Sequence, residues 1–115
     1  MRLLAAEITR EKLMLRLHQE LPYYLTVETE SWQQQRDGSV RVDQVIFVTR
    51  DGHKGIVLGP KGTTIKSISQ AARAEIAELA GVKIHLFCQV RVRPKWEQDA
   101  ERFSEMGLDF KDTRS

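Results

Sequence analysis

Gly59 and Gly62 enclose Pro60 and Lys61 at the junction of two stretches of different character, and that junction restricts the fold more than any other feature of the chain. The apolar run Gly55-Ile56-Val57-Leu58 enters it. Beyond it, Ile65, Ile68, Ala72, Ile76 and Leu79 recur at helical spacing. The spacing predicts a helix, a tight turn and a second helix. Glycines at both ends of a two-residue loop allow left-handed backbone angles and let another backbone approach with no Cβ in the way. Backbone donors and the Lys61 ammonium then face outward together. The plainer alternative is that Gly59 only caps one helix and Gly62 only fills the turn before the next. Short glycine spacings are common by chance, so the rest of the chain has to decide.

From Leu4 to Leu21 the apolar positions Leu4, Ile8, Leu13, Leu17 and Leu21 predict an amphipathic helix, stopped by Pro22. Tyr24 to Gln34 alternates, with Leu25, Val27 and Thr29 on one side and Thr26, Glu28 and Glu30 on the other. Asp37-Gly38 is a hairpin signal, and Val40 to Thr49 resumes the alternation through Val42, Gln44, Ile46 and Val48. The two strands are expected to pair antiparallel. Asp51-Gly52 closes the second strand, leaving Lys54 to Leu58 as a short helix. The long helix from about Thr63 to Ala80 ends at Gly81, where a C-terminal glycine is expected. Val82 to Val92 reads as a strand with Val82, Ile84, Leu86, Cys88, Val90 and Val92 toward the core. Beyond Pro94 the spacing of Trp96, Ala100 and Phe103 predicts a last helix.

With 115 residues the chain is expected to form one domain: a helix over 1–22, strands and the glycine-turn helix pair over 23–93, a helix over 94–110 and a tail over 111–115. The formal charge of +2 decides little, but its placement is informative. Lys61, Lys66, Arg73, Lys83, Arg91 and Arg93 lie in or after the glycine turn and Lys54 just before it, whereas acidic residues are frequent in the first helix and near the C-terminus. Cys88 is the only cysteine, so neither an internal disulfide nor a thiolate zinc site can form, which suits the cytoplasm. No apolar run approaches the ~18 residues of a membrane span. His18, His53 and His85 are scattered without ligand partners at metal spacing. No metal, cofactor or nucleophile triad is expected.

Glycine turn, flanking apolar residues and element order together resemble the KH family. The order matches type II KH domains: an α+β fold with a three-stranded mixed sheet packed against helices, arranged α-β-β-α-α-β plus a C-terminal helix. Within that class the chain is most similar to the C-terminal KH domain of the bacterial Era GTPase family. The resemblance rests on Arg10-Glu11-Lys12-Leu13, Glu20-Leu21-Pro22-Tyr23, Lys54-Gly55-Ile56-Val57-Leu58-Gly59, Ala72-Arg73 with Glu75-Ile76, and Trp96 with Met106-Gly107. It covers nearly the whole chain. A GTP-binding P-loop would require glycine at Pro60, counted from Gly55, so no hydrolase is expected in these residues. One departure stands out: the family's usual loop is Gly-Lys-Gly-Gly, and here Pro60 and Lys61 fill the two middle positions.

The resemblance implies single-stranded RNA binding at the 3′ end of small-subunit (16S) ribosomal RNA during ribosome assembly, by the separated KH domain of an Era-like GTPase. It also implies a GTPase domain in the full-length family, the inner membrane surface as a further partner, and a monomer. The expected RNA-binding residues are Gly59, Pro60, Lys61 and Gly62 in the loop, with Lys54, Lys66 and Arg73 extending a basic track. Lys66 and Arg73, seven residues apart, share a helix face. Ile56, Leu58 and Ile65 either floor the groove or belong to the core. Arg91 and Arg93 read more plainly as solubilising charges, and Trp32 as a packed residue rather than a base-stacking one. Replacing both Gly59 and Gly62 by aspartate is expected to abolish binding without unfolding the domain. The alternative is a KH-fold protein-interaction domain that has lost RNA binding.

Overall fold

A computed structural model of the chain describes residues 1–17 and 25–94. Helix α1 spans Arg2–Leu17, strands β1 and β2 span Thr26–Gln34 and Val40–Val48, and helix α2 spans Asp51–Leu58. A 3-10 turn at Pro60–Gly62 leads into helix α3, Thr63–Ala80, and strand β3, Ile84–Val92, follows. The α-β-β-α-α-β order is therefore as expected. The expected end of the first helix at Leu21, its stop at Pro22, and the final helix and tail beyond Pro94 lie outside the described residues.

The sheet has the order β1-β2-β3, with β1 antiparallel and β3 parallel to the central β2. The antiparallel pair follows from a tight connection: Asp37 Oδ1 accepts from the Ser39 amide at 3.0 Å and the Ser39 hydroxyl at 2.6 Å, while Gly38 takes a φ of +88°. Parallel pairing needs a long crossover, which α2, the glycine turn and α3 supply. Being flanked on both sides, β2 buries Val45 as well as Val40, Val42, Ile46 and Val48. Near the glycine turn the core consists of Leu13, Leu25, Ile46, Val48, Val57, Ile68 and Val90. Toward the hairpin end it consists of Ala5, Ile8, Val40, Val42, Ala72, Ile76 and Ile84.

Four local expectations are corrected. In α1 the buried residues are Ala5, Ile8, Thr9 and Leu13, and Leu4 is exposed, because the helix turns its Ala5 side toward α3 and β1. Helix α2 begins at Asp51, not Lys54: an acidic side chain in the first turn favours the helix dipole, so the residue read as closing the strand opens the helix. Leu79 is 53% exposed, with Ala77 and Ala80 packing on the core instead. Strand β3 starts at Ile84; Val82 is exposed in the turn that follows the left-handed Gly81.

An irregularity between Thr29 and Ser31 changes which side chains of β1 face inward. Before it, Thr29 pairs with the buried Gln44; after it, Trp32 pairs with the buried Val42 and packs on the core. Arg2 Nη2 donates to the carbonyls of Thr29 and Glu30 at 2.8 Å, satisfying backbone acceptors at the irregularity.

Candidate nucleic-acid interface

Helix α2 has eight residues, two of them glycine, too few for stability on its own. Val57, fully buried, holds it against the sheet, while Leu58 is half-buried on the same core and Ile56 points outward at 54% exposure. The helix ends where the Gly59 amide donates to the Gly55 carbonyl at 2.9 Å. Gly59 has φ +73° and ψ 174°, and a Cβ there would stand 2.6 Å from Thr64 Cβ and 2.9 Å from the Thr64 amide nitrogen. Neither atom can move cheaply, so the position requires glycine.

The chain then folds on itself. The Gly62 amide donates to the Gly59 carbonyl at 3.1 Å, and the Pro60 carbonyl accepts from both the Thr63 amide and the Thr63 hydroxyl, the latter at 2.8 Å. Pro60 sits in the first turn, where its missing N–H costs nothing. Lys61 has φ 54° and ψ 28°, the one positive φ outside glycine among the described residues. Gly62 follows at φ 74°, with open space where a Cβ would stand. Sequence reasoning missed the strained Lys61 backbone and the Thr63 hydroxyl lock. The signal lay in the departure from Gly-Lys-Gly-Gly: the position of Lys61 is one the family fills with glycine.

Electrostatics favour an anion here. Helix α3 starts with no side-chain cap and no acidic residue in its first turn, leaving the positive end of an 18-residue helix behind the loop. Lys61 and Lys66 are exposed beside it, and Lys54 is half-buried on α2. Arg73 is exposed two turns further along α3. Glu75, on the flank of α3 that meets α1, is engaged by Lys12 Nζ at 2.8 Å. That contact raises the Lys12 pKa above its ordinary value.

Helix α2 and the start of α3 lie over β3, whose far side carries no further strand among the described residues. Leu58, Ile65, Cys88 and Val92 line this end of the core, each partly buried. Leu58 and Ile65 thus belong to the margin of the core, whereas Ile56 is surface. Burial pushes the Cys88 thiol up, which makes it a packing residue rather than a reactive thiol. On the opposite face of the sheet, Arg93 is held 3.6 Å from Glu28 and 4.0 Å from the Phe47 ring centroid, and Arg91 donates to Gln89 at 2.8 Å. The structure brings Lys54, Ile56, Leu58, the loop, Ile65 and Lys66 to one end of the molecule, with Arg73 further along α3.

Comparison with known proteins agrees with this architecture. Residues 20–97 match the KH domain family. GTPase Era of Dinoroseobacter shibae is 67% identical over 112 residues, covering 97% of this chain and 36% of the relative. GTPase Era of Brucella suis is 63% identical over 110 residues, covering 96% of this chain and 35% of the relative. The chain thus spans about a third of the length of these relatives, corresponding to their C-terminal KH part and not to their GTPase part. A crystal structure of Aquifex aeolicus Era superposes with a TM-score of 0.82 at 32% identity, covering 95% of this chain and 37% of that one. A structure of Era in complex with MgGDPNP and nucleotides 1506–1542 of 16S ribosomal RNA superposes equally well, with a TM-score of 0.82 at 32% identity over the same shares.

Proposed function

Because the chain belongs to the KH family, in the form carried by the C-terminal part of GTPase Era, we propose that it binds single-stranded RNA through the Gly59–Gly62 loop. The observation that carries this is the loop itself. A glycine-bounded turn with a left-handed lysine stands at the uncapped N-terminus of α3, beside the open edge of β3. Its backbone and Lys61 fit the phosphates of about four nucleotides, and the half-buried Leu58 and Ile65 offer apolar surface to bases. Lys66 and Arg73 continue the positive track. Phosphate contacts position the strand and base-edge contacts specify it.

The RNA seen with the similar Era structure makes the 3′ end of small-subunit ribosomal RNA the ligand to test. Titration of this chain with an RNA of that sequence and with a scrambled RNA, alongside Gly62→Asp, addresses sequence choice and loop dependence together. Preference for the ribosomal sequence, lost in the variant, is expected. Equal, weak binding of both RNAs by parent and variant alike would favour a protein-docking role for the fold.

A further inference from the structure

Beyond the loop, we propose that the outer face of the sheet near the hairpin carries a second RNA subsite, centred on Phe87 and Arg41, which stacks a base of the same strand after it leaves the loop. This rests on the RNA-binding reading of the loop. Phe87 is 49% exposed on the face turned away from the helices, and the Arg41 guanidinium lies 4.5 Å from its ring centroid. Both border a shallow concavity of about 550 Å³ that Gln35, Arg36, Asp37 and His85 also line. An exposed aromatic ring layered with a guanidinium is a surface on which single-stranded bases stack without sequence restriction.

Charge complementarity selects a polyanion. From Val82 to Arg93 the chain contains no acidic residue, and His85, Phe87, Gln89 and Arg91 alternate along one side of β3, with Lys83 and Arg93 just beyond its ends. Of the nearby carboxylates, Asp43 is paired with Arg41 at 3.2 Å and Glu28 with Arg93 at 3.6 Å, while Asp37 keeps its charge at the hairpin and accepts from Ser39. The path is short. Leu58 and Ile65, flanking the loop, pack on the same core cluster as Val92 at the end of β3, and Phe87 is five residues back from Val92, about 17 Å at the rise of a strand. With no strand beyond β3 among the described residues, a strand of RNA can pass round that edge from the helix side to the outer face.

Fluorescence anisotropy with a 5-nucleotide RNA, which fills only the loop site, and a 12-nucleotide RNA containing it separates the two sites. The parent chain is expected to bind the longer RNA more tightly. Phe87→Ala should weaken the 12-mer by roughly five- to a hundredfold and leave the 5-mer unchanged. Phe87→Trp should retain the tighter binding, with its indole fluorescence quenched by the 12-mer alone. Gly62→Asp should weaken both RNAs. A folded Phe87→Ala variant, checked by circular dichroism, that binds both RNAs like the parent overturns the subsite while leaving the loop intact. Failure of the parent to bind either RNA overturns both.

Discussion

The Thr9 hydroxyl donates to Gln44 Oε1 at 2.6 Å, with both side chains buried. This contact pins α1 to the central strand, and it continues outward: Gln44 Nε2 donates to Thr29 Oγ1 at 3.2 Å, which donates in turn to the Arg2 carbonyl at 2.9 Å. The helix that precedes the sheet is thus fixed by a polar network as well as by Ala5, Ile8 and Leu13. Removing one partner leaves the other buried without its hydrogen bond, at about 1–3 kcal/mol. Thr9→Val and Gln44→Leu should each destabilise by that order in urea unfolding, and the double variant by clearly less than their sum. Additive losses would mean that the pair is not coupled.

Lys61 keeps a left-handed backbone that costs a residue with a Cβ about 1–2 kcal/mol. Lys61→Gly removes that strain and gives back part of the gain as entropy of the unfolded chain, so stability should rise by about 0.5–1 kcal/mol. RNA affinity should nevertheless fall, with the slope of log affinity against log salt reduced by about 0.7, the value for one phosphate contact on a single strand. Lys61→Ala should show the same salt effect without the stabilisation. An unchanged salt slope in both variants would remove Lys61 from the phosphate contacts.

The two loop glycines should respond differently. Gly59→Ala meets the Thr64 backbone as well as an unfavourable φ, and should destabilise by several kcal/mol. Gly62→Asp enters open space in a left-handed conformation that aspartate tolerates, and should stay folded while losing RNA. This corrects the expectation that aspartate at both positions spares the fold. Thermal melts of the single variants decide it: equal melting temperatures would contradict the packing around Gly59.

Arg41, aided by the Ser31 hydroxyl, holds the Asp43 carboxyl below the usual carboxylate value of 3.8. A depressed folded pKa stabilises above the unfolded value and ceases to do so as pH falls through the folded one. Melting temperatures of the parent and Asp43→Asn should therefore keep a constant gap from neutral pH down to about pH 5, and converge below the ordinary carboxylate range. A gap unchanged at pH 2 would mean that the charge of Asp43 contributes nothing.

Element order, the hairpin at Asp37-Gly38, the extent of α3 and the glycine loop were legible in the sequence, because each follows from short-range chemistry. Period-2 and period-3.6 patterns, turn residues and a glycine pair are written locally along the chain. Those signals also carried the resemblance to the KH family. Which side of each element met the core was less legible, and Leu4, Leu79 and Val82 show why. Each fits the apolar period of its segment, yet the rotation of α1 against α3, the packing of Ala77 and Ala80, and the turn at Gly81 leave them in solvent. Trp32 faces inward only because of the irregularity after Thr29, a property of the β1–β2 pairing. Gln44 finds Thr9 across 35 positions of sequence, and Phe87 finds Arg41 only once β3 lies beside β2. Local elements and the loop are thus written in short stretches of the chain. Which polar groups meet depends on how those elements pack, since partners distant along the chain leave no local pattern.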